Sequence, residues 1–192
     1  MMVVPKMDRT ESLRRRQLGE QNRRQVARSL ARAYGFPPTI SMDDLMDRLD
    51  PTMLRKTIGF ISDVYYGGRF LRLLRSRRVS LRVFVRDDAP PHKKEYAATE
   101  WGGRRPVHVI VWTATFRDAG RVYARGCRKR IDGNACDAPL EFFVGVVAHE
   151  LIHVLLGGVQ GFAGAHTKRF DRHNQYFNGA KPREFTNSTQ CK

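Results

Sequence analysis

His149, Glu150, Leu151, Ile152 and His153 place two imidazoles four positions apart with a carboxylate beside the first. On a helix, positions i and i+4 share a face, so both imidazoles can close on one zinc ion while Glu150 handles a proton. That combination is suited to metal-assisted hydrolysis of a peptide bond. The plainer alternative is a pair of core histidines with an incidental glutamate. It requires several buried polar groups to find partners, each costing about 1–3 kcal/mol if left unpaired.

Catalytic zinc usually takes three protein ligands and keeps a fourth position for water. The candidates for the third are His166 and His173. His166 stands at the mouth of a second helix that would place Phe170, His173 and Phe177 on one face, and it is the preferred ligand. His173, two turns further on, is expected to pack or to orient a ligand. A metzincin would need glycine at 156 and histidine at 159, where the chain has Leu156 and Val159. A gluzincin would need a later helical glutamate, and only Glu184 follows Glu150, in a stretch with weak helical signal.

These residues need elements to position them. Pro139 to Ala148 is almost wholly apolar and reads as a buried helix that Asp137 could cap, Pro139 could open and Gly157-Gly158 would end. The histidines and glutamate interrupt this run before the roughly 20 apolar residues that a membrane span requires, so no span is expected. Upstream, residues 9–34 read as an amphipathic basic helix or a disordered arm with Val26 and Leu30 as its apolar stripe. Ser41 with Asp44 resembles a capping box, and Asp50-Pro51 opens a helix that reaches Tyr66 and ends at Gly67-Gly68. Val79 to Val85 alternates as a half-buried strand, and residues 87–106 form a long polar loop. Val107 to Phe116 is the strongest strand and the candidate edge for an extended substrate. A third strand from Arg121 to Cys127 would pair with it across Asp118-Ala119-Gly120. Helices, then a small antiparallel sheet, then the zinc helices make an α+β arrangement.

Charge is the second informative feature. The formal net charge is +16 over 192 residues. Arg14, Arg15, Arg16, Arg23 and Arg24 cluster near the N-terminus, while Arg72, Arg75, Arg77 and Arg78 fall in the segment Arg69 to Arg86, which contains no acid. Such density marks a polyanion partner, most often nucleic acid, and arginine suits bidentate phosphate contacts. The alternatives are a solvated face, an acidic protein or an anionic membrane surface. Tyr96 and Trp101, beside Lys93, Lys94, Arg104 and Arg105, could stack on unpaired bases, with packing as their plainer role.

The chain resembles the SprT-like zinc metallopeptidases. The resemblance rests on His149 to His153, on Gly164-Ala165-His166 with Phe170 following, and on Tyr65-Tyr66-Gly67-Gly68-Arg69-Phe70-Leu71. It covers about residues 50–178. The gap from His153 to His166 is slightly short for that family, and the cysteine-rich C-terminal zinc module of many members is missing. The resemblance implies a zincin-like domain over 41–180, with a basic extension over 1–40 and a tail over 181–192. It also implies that the substrates are proteins attached to DNA. In that reading Zn2+ is held by His149, His153 and His166, and Glu150 takes a proton from water and returns it to the leaving amine.

Cys127, Cys136 and Cys191 form no close pair of the metal-binding kind and are expected as free thiols, although a Cys127–Cys136 disulfide is conceivable. Met1 to Lys6 lacks the apolar core of a secretory signal. An intracellular setting is expected, nuclear in a eukaryote. A competing reading is a basic nucleic-acid-binding or packaging protein with a non-catalytic zinc site, against which Glu150 argues. A third is a peptidase whose substrates have no connection with DNA.

Overall fold

A computed structural model describes residues 5, 7–90, 95–101, 106–161, 166–180 and 189–190. It is a mixed α+β structure with two small three-stranded sheets. Helices α1 (Arg9–Tyr34), α2 (Met42–Asp47), α3 (Pro51–Tyr66) and α4 (Arg69–Ser76) precede strands β1 (Leu81–Arg86), β2 (Ala97–Trp101) and β3 (Val107–Trp112). Then come α5 (Thr113–Ala124), β4 (Arg128–Ile131), β5 (Asn134–Cys136), α6 (Pro139–His153) with a π-helical continuation (Val154–Val159), α7 (Lys168–Asn178) and β6 (Thr189–Gln190).

Four side-chain caps form as their chemistry dictates, but the Asp137 cap expected at Pro139 does not: Ala138 is the N-cap there, with no side-chain hydrogen bond, and the Asp137 carboxylate pairs with Arg24 and Arg128 instead. Asp8, Ser41, Asp50 and Thr167 each accept a backbone N–H from the residue three positions on, opening α1, α2, α3 and α7. Gly67 and Gly68 are both left-handed, with φ of 56° and 71°. They turn the chain from α3 into α4, where Tyr66 packs on Phe70 and Phe177 with centroids 5.1 and 4.7 Å away.

Helix α1 is built into this core and is not a detached arm. Val26 and Leu30 are fully buried. Gly19 lets the α7 terminus approach: a Cβ there would lie 2.3 Å from the Asn178 carbonyl oxygen, and one on Gly179 would lie 2.6 Å from the Arg15 carbonyl oxygen. The two backbones meet through paired glycines, which no side chain could permit.

The first sheet differs from the antiparallel expectation. Its order is β1-β3-β2, with β1 and β3 parallel and β2 and β3 antiparallel. Val107–Trp112 is therefore the central strand and not an edge. Strand β2 lies within the residues expected to be loop, because Ala97-Ala98-Thr99-Glu100 has little β signal and takes its extended form from pairing with β3. Thr113 starts a helix where the strand was expected to continue, and α5 replaces the third strand. Phe116 and Ala119 are buried one turn apart, and Gly120 faces Met42 of α2 instead of turning a hairpin.

Cys136 is a free buried thiol, whereas Cys127 is disulfide-bonded, against the expectation of free thiols throughout. The Cys127–Cys136 pair is not formed. Strand β6 pairs with β4, placing Thr189 and Gln190 opposite Lys129 and Arg128. The rest of the tail, with Glu184, lies outside the described residues, as do His92, Lys93, Lys94, Arg104, Arg105 and Gly164-Ala165.

Candidate metal centre

Helix α6 runs through the centre of the protein. Every residue from Phe142 to Ile152 is buried, Glu150 at 6% and His149 at 9% exposure among them. The helix does not end at Gly157-Gly158. It continues as a π-helical segment to Val159 before left-handed Gly161. The glycines serve close packing instead: a Cβ on Gly157 would lie 2.1 Å from the Trp101 ring, and one on Gly158 would lie 3.0 Å from Val107. Trp101 is thus a packing residue that seats β2 on this helix. Pro139–Val159 is 21 residues, longer than expected and sufficient to cross a membrane by length, with an 18-residue stretch of mean hydropathy 1.8, yet 78% of that stretch is buried inside the fold. That burial accounts for its apolarity.

The ring nitrogens of His149, His153 and His166 lie within 4.8 Å of one another. His166 reaches the cluster from just before Thr167, the cap of α7. His173 does not join it: this buried residue bonds through Nδ1 to the Arg169 carbonyl at 2.9 Å and stands beside Phe177. Phe170 provides an apolar floor, stacked on His153 at 4.2 Å and lying 4.6 and 4.9 Å from His166 and His149.

The motif has two partners that reading it alone did not identify, one on His149 and one on Glu150. Asp132 meets His149 Nδ1 with its carboxylate oxygens at 2.9 and 3.1 Å, leaving Nε2 to face the cluster. Asp132 occupies a two-residue hairpin turn between β4 and β5 with Gly133, both with positive φ (52° and 75°), and Ile131 pairs with Asn134 across it. An Asp-Gly pair between strands is a sequence signal for this turn, so the hairpin was legible. Its contact with a histidine 17 positions away was not. Thr99 of β2 is the second partner: its hydroxyl donates to Glu150 Oε2 at 2.7 Å and lies 3.1 Å from the Glu150 carbonyl oxygen. No sequence feature singles it out.

Electrostatics follow from this arrangement. Burial alone would raise the pKa of Asp132, but His149 and a hydrogen bond from Asn174 hold the carboxyl below its usual range. Burial opposes protonation of His149, yet the Asp132 carboxylate prevails and lifts its pKa to about 9. His153 is pushed down to about 3 by burial and by its two histidine neighbours, and His166 is also lowered, chiefly by burial. Glu150 is raised by burial, with His149 and Thr99 partly offsetting this.

The donor set fits a metal ion. His149 Nε2 and His166 Nε2 face each other at 3.0 Å, and with Zn–N bonds of about 2.0–2.1 Å, tetrahedral zinc requires ligand nitrogens about 3.3 Å apart. Three imidazoles are a donor set that zinc, copper, nickel and iron all accept. An outer carboxylate that orients a ligating histidine typically contributes 10–100-fold to metal affinity. Asp132→Asn is therefore expected to weaken zinc binding about 10–100-fold in a competition titration against a chromogenic chelator.

The arginines separate into two groups. Arg23 is 3% exposed and donates to the Ala135 carbonyl at 3.1 Å, so it is not available to a polyanion. Arg14 and Arg15 pair with Glu11, Arg16 with Glu20, and Arg24 with Asp137 and Glu141. Arg72, Arg75, Arg77 and Arg78 are all exposed and, among the described residues, make no ion pair. No protein-family model, curated protein or solved structure matches this chain.

Proposed function

We propose that the chain is a zinc-dependent metalloendopeptidase of zincin-like architecture that acts on DNA-associated proteins. One observation carries the reading: two of three convergent imidazoles lie on the helix that also carries, next to the first of them, a buried glutamate whose carboxylate accepts a hydroxyl hydrogen bond. A site that only held a metal would have no use for that carboxylate.

His149, His153 and His166 would hold the ion. Zinc bound there supplies Lewis acidity, polarising a carbonyl and acidifying water. The chain's own residues do the rest. Asp132 fixes the tautomer and ring orientation of His149. Phe170 excludes water from behind the imidazoles. Glu150 accepts a proton from the attacking water and passes it to the leaving amine. Thr99 aims the carboxylate. Strand β2 borders the first sheet and carries Thr99, so an extended peptide pairing along its outer edge would run beside Glu150. This edge takes the place of the one expected on Val107 to Phe116.

The DNA part of the reading rests on the charge of +16, on the arginines of α4 and just after it, which make no ion pair among the described residues, and on the SprT-like resemblance. The test is cleavage of a basic DNA-binding protein by the zinc-loaded chain, with and without single-stranded DNA. Cleavage that requires DNA, stops with a chelator and returns with zinc is the expected result. Cleavage indifferent to DNA would leave a general peptidase, and none in any condition would favour a binding protein.

A further inference from the structure

Strand β1, which follows the arginines of α4, has an aromatic element that charge counting does not reveal. On β1, Arg82, Phe84 and Arg86 are exposed, while Val83 between them is buried. Alternation along a strand puts these three side chains on one face at a spacing of about 6.6–6.8 Å between successive members. Phe84 is 37% exposed, one of three large apolar side chains exposed among the described residues, and the other two are leucines on α1. Its ring is braced edge-on by His108 of the neighbouring strand at 5.1 Å and 73°. Arg82 and Arg86 make no ion pair among the described residues, and the exposed Arg75, Arg77 and Arg78 lead directly into the strand. Arg78 holds a left-handed conformation, φ 53°, where glycine would be less strained.

We propose that this row, Arg82-Phe84-Arg86, is a binding site for single-stranded nucleic acid. A base stacks on Phe84 and the flanking guanidiniums contact the phosphates on either side. A ring between two unpaired cations on a rigid strand matches the base and phosphate pattern of an unpaired strand. A duplex, with its bases already stacked, offers the ring nothing. An acidic protein would use the arginines and leave the ring idle. The inference rests on the nucleic-acid part of the reading above and is independent of the peptidase part.

The test is fluorescence anisotropy of a labelled oligothymidylate of about 15 nucleotides, a length within typical single-strand site sizes. The full zinc-loaded chain is titrated at several salt concentrations, so no turnover is needed. Phe84→Ala is expected to weaken binding at least about fivefold and Phe84→Trp to restore it, with a cooperative thermal melt showing that each variant remains folded. Arg82→Gln with Arg86→Gln is expected to flatten the slope of log affinity against log salt by about 1.4. Phe84→Ala binding as tightly as the parent would overturn this site while leaving the charge-based reading intact. No binding of the oligonucleotide by the parent chain would overturn both, and leave the peptidase reading untouched.

Discussion

Glu150→Gln is expected to retain a single bound zinc ion and to lose about 10²–10⁴-fold in the rate of the proposed peptide-bond hydrolysis. The substitution keeps the size of the side chain and its capacity to accept the Thr99 hydrogen bond, so the helix and the histidines stay in place. What would disappear is the group proposed to take a proton from water. The measurement pairs zinc content with turnover of an unfolded basic protein. Equal turnover in parent and variant would remove Glu150 from the chemistry and, with it, the reason to regard the site as catalytic.

His166→Ala and His173→Ala separate the two histidines that the sequence left as alternatives. Loss of His166 removes one of three ring nitrogens, and zinc affinity is expected to fall by more than the 10–100-fold that an outer partner contributes. His173→Ala leaves affinity unchanged and lowers the melting temperature, since it removes a buried ring beside Phe177 and a bond to the Arg169 carbonyl. Melting with and without zinc reads both effects. A ligand present at about 100 times its dissociation constant adds about 2.7 kcal/mol of stability, so the zinc-induced rise should persist in His173→Ala and be lost or strongly reduced in His166→Ala. A His173 variant that loses zinc would overturn the ligand set.

Several elements were legible because their signals are local. The spacing of His149 and His153 on an apolar run, the caps at Ser41 and Asp50 and the stop at Gly67-Gly68 are all decided within a turn or two of chain. Errors occurred where tertiary packing overrode local preference. The glycines at 157 and 158 look like a helix stop, but they are where Trp101 and Val107 press against the helix. Thr113 to Ala124 has a mixed pattern that α2 resolves into a helix by packing on Gly120. Strand β2 exists because β3 offers it hydrogen bonds.

The charge shows the same division. Composition counts every arginine alike, yet folding buries Arg23, pairs Arg14, Arg15, Arg16 and Arg24 with carboxylates, and leaves the arginines from α4 through β1 unpaired among the described residues. Which arginines remain for a polyanion depends on acids distant in sequence, such as Asp137 against Arg24.

By itself, the sequence determined that two imidazoles and a carboxylate share one turn of a buried helix, because helical periodicity acts over four residues and needs nothing else. Only the tertiary structure decided that His166 completes the cluster, that Asp132 orients His149 and that Thr99 holds Glu150. Those contacts join residues 17, 17 and 51 positions apart, and no local propensity reports which distant side chains the packing of a sheet and two helices will bring within 3 Å.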